Sequence, residues 1–584
     1  MRMTHVAQGR GAAAAAEDPR VLDAVRITLE RGGNAVDAAV AAAAVQGVCR
    51  PMSGGLGGGG FMLIRLPSGR SVVIEHREQA SAAFGPESMV GAGGQVLPDG
   101  ERRVHGHAVG VPGAPRAWAE AIRLYGRLGL AEVLAPAIAL ADAGFEVDET
   151  LHREIAERRA DFAMFEPTAR IYLDEAGTAL PVGAVLTNPD LARTYETFAA
   201  DGVNVFYDGK IADAIVAAVN EPPVATSYRG DAARPGAMTR ADLSGYTARH
   251  LEPVRYRYGE YELVGPPLPS SGALTIAEAL GILDRVPPAD GGDLVGHIHR
   301  YLEACRLAFA DRSAYLGDGR IVDVPAAALT SDAYLRSRAA AVDVGRAGAG
   351  EADASWTGGV SSIDDVTSAA GTEPGDLTAA GASWMLHEPE SPSTIHLSVD
   401  DGHGMTVSYT STIVSMGGCG IVVPGTGILL NDALAGRAPG RGGRHGAGRP
   451  MPGMRPLSSM APTMVQRGGR LRMTVGSPGG TTIITTVLQL LHLTLGAGMG
   501  LAEALAHPRV TQRGADGGVA EAEPGFLASP LAGALEELGH RFIPWTPMEG
   551  IGAANGLQWN DKGDVTAVAE PVRRGSGYAA VWRL

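Results

Sequence analysis

Cysteine is almost missing from this chain. Cys49, Cys305 and Cys419 are the only three in 584 residues, too few and too scattered for a disulfide framework or a zinc site. Cys419, in "MGGCG", reads as a small residue in a tight turn rather than a thiol nucleophile. An excess of positive charge is missing too. The formal net charge is -15, whereas a nucleic-acid surface needs a concentrated basic footprint; acidity of this size serves solubility. No run is long and apolar enough to span a bilayer. The N-terminal "MRMTHVAQGRGAAAAAEDPR" carries a short alanine block, but alanine is weakly apolar and Glu17 and Asp18 follow at once. It makes a poor secretory signal, and a cytoplasmic location is expected. Internal repeats are also lacking.

What is present describes a folded protein. The 45% hydrophobic and 19% charged content belong to a chain that buries a core. Length alone suggests about three or four domains, although large α/β enzymes form one continuous body. Gly 81 favours tight turns and close backbone approaches. Residues 20–48 read as two helices broken at Gly32-Gly33, with Asn34 capping the second, whose alanines imply close packing on a sheet. "SGGLGGGGFMLIRL" is a glycine loop feeding a strand, and "SVVIEHREQA" a second strand. Helix patterns recur at "APRAWAEAIRLYG", "LAEVLAPAIALADAG" and "LVGHIHRYLEACRLAFADRSAYLG".

From about residue 345 to 393 periodicity vanishes in favour of Gly, Ala, Ser, Asp and Thr, as in a loop or linker. Strands dominate afterwards: "STIHLSVD", "GMTVSYTST", "TMVQRGGRLRMTVGS" with a Gly-Gly hairpin turn, and "AVWRL". A helix, "TTIITTVLQLLHLTLGAG", follows "GSPGG". The two halves differ in kind and meet at Thr394. Neither is expected to be self-sufficient.

Several stretches bear on chemistry. "GGLGGGG", Gly54 to Gly60, lacks the ending of a P-loop and precedes a strand, so it reads as a tight turn or a backbone-lined wall rather than a phosphate cradle. Thr394 stands where a loose segment enters a polar strand. A hydroxyl needs an adjacent base to attack a carbonyl, and a threonine that becomes a chain's first residue acquires one in its freed α-amine. The alternative is an ordinary strand threonine. In "GSPGG", Gly479 and Gly480 can aim two backbone N–H groups at a developing oxyanion. "RPLSSM", Arg455 to Met460, sets Ser458 and Ser459 together as a carboxylate-binding pair would require, and Arg77 in "EHREQA" could anchor the same carboxylate.

With these residues in place, the chain resembles the γ-glutamyltranspeptidase family of N-terminal-nucleophile hydrolases along nearly its whole length. The resemblance rests on "GGNAVDAAVAAAAVQGVCRPMSGGLGGGGFML", "HREQA", "VGVPGAPRAW", "PPLPSSG", "RLAFADRSAYLGD", "STIHLSV", "GTGILLND", "RPLSSMAPTMV" and "VGSPGGTTIITTVLQ". It implies an α/β (α+β) fold, a four-layer αββα sandwich. The precursor would cut itself between Ser393 and Thr394 into a large subunit, 1–393, and a small one, 394–584, that stay together. It further implies Thr394 as nucleophile, Thr412 as the hydroxyl that orients it, and Gly479 and Gly480 as the oxyanion hole. Arg77, Ser458 and Ser459 would hold a substrate α-carboxylate, with a structural part for His396. No metal or organic cofactor is needed.

Departures from the family pattern carry equal weight. The family holds the glutamyl α-amine with an Asn two residues beyond the second threonine and with a Gln and an Asp after the "GILLN" strand. Here those positions are Val414, Ala433 and Gly436. A buried ammonium without acceptors costs on the order of several kcal/mol, so the expected substrate is a small molecule with a carboxylate but no α-ammonium at that place. Neither nucleic acid nor membrane is expected as partner. Family branches of this kind include glutaryl-cephalosporin-type acylases and C–C-cleaving homologues of alkyl-proline antibiotic pathways. A true γ-glutamyltransferase and a silent structural homologue are the other readings.

Overall fold

The computed structural model describes residues 4–348, 393–436, 450–513, 519–546, 550–575 and 577–583. Most of the unpatterned segment read at 345–393 therefore lies outside the described residues.

Two seven-stranded antiparallel sheets stack face to face, with helices on their outer sides. One runs in the order Tyr578–Trp582, Ala12–Ala16, Ile395–Asp400, Thr406–Thr412, Gly59–Arg65, Ser71–Glu75 and Arg249–Leu251. The other runs Val6–Gly9, Val565–Ala569, Asn555–Trp559, Arg470–Gly476, Thr463–Arg467, Tyr261–Gly265 and Val254–Tyr258. This is the expected αββα arrangement. Among the described residues no helix is long and apolar enough to cross a membrane.

The helices form where period and caps predict. Asn34 accepts the N–H groups of Val36 and Asp37, and the Asp37 carboxylate accepts the Asn34 N–H in return, opening helix Ala35–Cys49. Every residue of that helix is buried. Its alanines let it lie close against strands Ile395–Asp400 and Thr406–Thr412. Helices Gly272–Leu283 and Thr482–Leu491 cover the second sheet. Gly468 and Gly469 turn the hairpin between Thr463–Arg467 and Arg470–Gly476 at φ 58° and 75°, the left-handed pair that such a two-residue turn requires.

The alanine block Ala12–Ala16 is a fully buried strand, paired on one side with Ile395–Asp400 and on the other with Tyr578–Trp582. Alanine has little intrinsic strand preference; burial on both faces and two ladders decide the matter.

The polar strands find their explanation in alternation. Leu397, Val399, Val407 and Tyr409 join the helix-side core. His396, Ser398, Ser408 and Thr410 take the opposite face, toward the second sheet. Buried hydroxyls and one imidazole thus line the space between the sheets, and Thr394 and Thr412 stand at its head.

Candidate active site

The register Ile395↔Ser411 sets Thr394 across from Thr412. Thr394 Oγ1 donates to Thr412 Oγ1 at 3.1 Å, and that oxygen also accepts the Val414 N–H at 2.8 Å. A hydroxyl has two acceptor positions. Thr412 fills both, which fixes the Thr394 side chain in one orientation. Both threonines are buried. Immediately upstream, the buried Ser393 donates its hydroxyl to the Val414 carbonyl.

The carbonyl of Thr394 is held from the far end of the chain. Arg574 donates to it and to Ser53 Oγ, with carboxylate oxygens of Glu17 and Glu154 each 3.7 Å from its guanidinium. Burial pushes Glu17 up to about 7 and also raises Glu154. Sequence reasoning missed Arg574, Ser53, Glu17 and Glu154. The only local signal was a pair of adjacent arginines before the last strand.

His396 bonds Thr410 Oγ1 through Nδ1 at 2.7 Å and Ser398 Oγ through Nε2 at 3.2 Å. Burial pushes it down to about 3, so it stays neutral. Asn555 Nδ2 donates to its carbonyl at 2.6 Å. A Cβ at Gly476 would stand 2.3 Å from the His396 ring, so a glycine is required for the sheets to meet here. These contacts fit the structural part expected of His396.

Beyond Gly476 the chain turns through Gly479 (φ 133°) and Gly480 (φ 56°) into helix Thr482–Leu491. The Gly479 carbonyl accepts from Thr482 N at 3.0 Å and Thr482 Oγ1 at 2.7 Å. The N–H groups of Gly479 and Gly480 make no hydrogen bond among the described residues. That leaves two donors, on the turn that follows Gly476, able to receive an oxyanion.

The glycine cluster is a close approach of backbones. A Cβ at Gly57 would lie 2.0 Å from the Leu429 carbonyl oxygen, and one at Gly58 2.1 Å from that of Thr412. "GGLGGGG" is the wall against which the second threonine rests.

Arg77 and the two serines lie on adjoining segments. Ala80 N donates to Met454 O at 2.8 Å, and Arg455 donates to Glu75 at 2.6 Å. Arg77 is buried and paired with Glu78 at 2.5 Å, so its charge is already partly matched. Burial raises the Glu78 carboxyl. Ser459 Oγ accepts from Arg312 at 3.1 Å, while Ser458 Oγ accepts the Met460 N–H at 3.1 Å. Arg312 is another partner the sequence did not announce.

At the three departing positions, Val414 is half-buried at φ 81°, Ala433 is buried and Gly436 half-buried. None offers a polar side chain. A different acid is close by. Asp432 is buried, its Oδ1 accepting the Ser415 N–H at 2.8 Å and its Oδ2 unpartnered among the described residues. Burial raises its pKa.

Comparison with known proteins covers nearly the whole chain. Residues 23–580 match the family model described as Gamma-glutamyltranspeptidase. The chain is 34% identical over 544 residues to an acylase ACY 1 proenzyme of a Pseudomonas species, covering 92% of this chain and 88% of the relative. It is 34% identical over 490 residues to the glutathione hydrolase proenzyme of Escherichia coli, covering 82% and 77%. The solved cephalosporin acylase from Bacillus halodurans superposes with a TM-score of 0.82 at 26% identity, over 100% of this chain and 98% of that one.

Proposed function

The chain belongs to the gamma-glutamyltranspeptidase family, and from that premise we propose a self-cleaving threonine hydrolase whose substrate carries a carboxylate but no α-ammonium. The observation that carries the reading is the Thr394–Thr412 hydrogen bond at the head of a buried strand, with Ser393 tethered just before it.

In maturation, Thr394 Oγ1 attacks the carbonyl carbon of Ser393. The C–N bond between 393 and 394 breaks, and the hydroxyl proton ends on the new amine. Water then opens the resulting ester, which restores the Thr394 hydroxyl and leaves a carboxylate on Ser393. In turnover the freed amine takes the hydroxyl proton as Oγ1 attacks the substrate carbonyl. Gly479 and Gly480 receive the oxyanion. The leaving group departs with a proton, and water releases the acyl group from Thr394. Arg77, Ser458 and Ser459 hold the carboxylate.

The substrate half of the reading is supported by Val414, Ala433 and Gly436, which leave an ammonium without the family's side-chain acceptors. An acylase proenzyme among the relatives and a cephalosporin acylase among the solved structures support an amide substrate, and a glutaryl group would supply its carboxylate. A biosynthetic role in the cytoplasm belongs to the same proposal.

The test has two arms. On a denaturing gel the wild type should give two bands, roughly two-thirds and one-third of 60.1 kDa, and Thr394→Ala one. A single wild-type band rejects the mechanism. With anilides, kcat/KM for the glutaryl compound should exceed that for the γ-glutamyl compound by about tenfold or more. The reverse order rejects the substrate class and makes Asp432 the acceptor to examine.

A further inference from the structure

Among the described residues, only Val414 and Arg574 take positive φ without being glycine. Valine is the more unusual of the two. Its branched Cβ crowds the backbone in the left-handed region, and a residue stays there only when its surroundings over-determine it. What surrounds Val414 is the cleavage junction. Its N–H donates to Thr412 Oγ1, the oxygen that also receives the Thr394 hydroxyl. Its carbonyl receives the Ser393 hydroxyl. The residues on both sides of the 393–394 bond are therefore tethered to the two peptide groups of one residue.

We propose that the left-handed turn at Val414 is a maturation clasp, which holds Ser393 through its carbonyl and Thr394 through Thr412 until the chain is cut. Val414 and Ser393 are positioning residues, and the assignment rests on the self-cleavage reading above. Attack on a neighbouring carbonyl demands that hydroxyl and carbonyl be still relative to each other, and fixing both flanking side chains supplies this stillness. The two halves of the clasp have different lifetimes. Scission turns Ser393 into a chain end, severed from Thr394 and free to withdraw its hydroxyl from the Val414 carbonyl. The Val414–Thr412 half remains and goes on orienting the nucleophile. Ser393 thus serves the single maturation event and takes no part in later turnover.

Cell-free translation followed by denaturing gels gives the rate at which precursor converts to two bands. Ser393→Ala removes the tether and leaves the Val414 carbonyl without its donor; conversion should slow by roughly three- to tenfold, the range of one buried hydrogen bond. Ser393→Thr keeps a hydroxyl and should restore the rate. Fully converted Ser393→Ala protein has a small subunit identical to the wild type's and should match its turnover per molecule. Val414→Gly enters the left-handed region freely and keeps both backbone bonds, so it should convert at least as fast as wild type. Wild-type conversion by Ser393→Ala overturns the clasp. So does a defect that persists equally in turnover after conversion, or one that Ser393→Thr does not repair. A wild-type chain that never converts removes the self-cleavage reading and the clasp with it.

Discussion

Gly58 shows how little room the nucleophile's neighbour has. The carbonyl oxygen of Thr412 stands 2.1 Å, and its carbon 2.9 Å, from where a Cβ would be. Both are backbone atoms, so relief must come from moving the strand that carries Thr412. Gly58→Ala should lower stability by about 1–3 kcal/mol, read by thermal unfolding, and should leave the precursor as a single band. If it matures like wild type, Thr412 tolerates displacement and the site is softer than its burial implies. Single residues were also where the sequence was most and least readable. Thr394 stood out as a candidate because a hydroxyl at a linker-strand junction has a chemical reason to be there, whereas Thr412 came only from the family resemblance. Arg574 did not stand out, since its bonds reach Ser53 and Thr394, 521 and 180 positions away, and no local pattern encodes such a pairing.

At the scale of elements, helices and hairpins announced themselves because their causes are local: apolar period, Asn34 as a cap, Gly468-Gly469 as a turn. The strand Ala12–Ala16 did not, because its causes are its neighbours. It delivers Glu17 into the buried surroundings of Arg574 and Glu154, and this has a measurable consequence. Burial lifts Glu17 from 4.5 to about 7. Below pH 4.5 the group is protonated folded and unfolded alike. Between the two values the unfolded chain releases the proton that the folded chain keeps, so this contribution to stability falls as pH rises and is fully lost above about 7. The loss is on the order of 3 kcal/mol. Melting temperatures of wild type and Glu17→Gln, compared from pH 5 to 8, should diverge as pH rises, with the variant gaining. Parallel curves would mean that Glu17 is ionised throughout.

At the scale of the molecule, the proposed subunits do not correspond to separate bodies. Ala12–Ala16, from the large one, lies between Ile395–Asp400 and Tyr578–Trp582, both from the small one. In the other sheet Val6–Gly9 and Tyr261–Gly265 flank four small-subunit strands. Covalent division at 393–394 leaves every ladder intact. The processed pair should therefore elute as one species of 60.1 kDa or a multiple of it at any dilution in native buffer, and should part only across a single unfolding transition. Separation on a sizing column without denaturant would contradict the interleaved order. The sequence hinted that neither half could stand alone, but strand order depends on long-range pairing and stayed hidden. One of those pairings also sets a clock. A ribosome makes Thr394 well before Arg574 and the closing strand Tyr578–Trp582, yet the nucleophile's carbonyl is braced by the first and its sheet is closed by the second. The growing polypeptide carries Thr394 without these supports until residues 574–582 emerge. On the self-cleavage proposal, chains that stop short of Arg574 should therefore stay uncut, which denaturing gels of truncated chains would read.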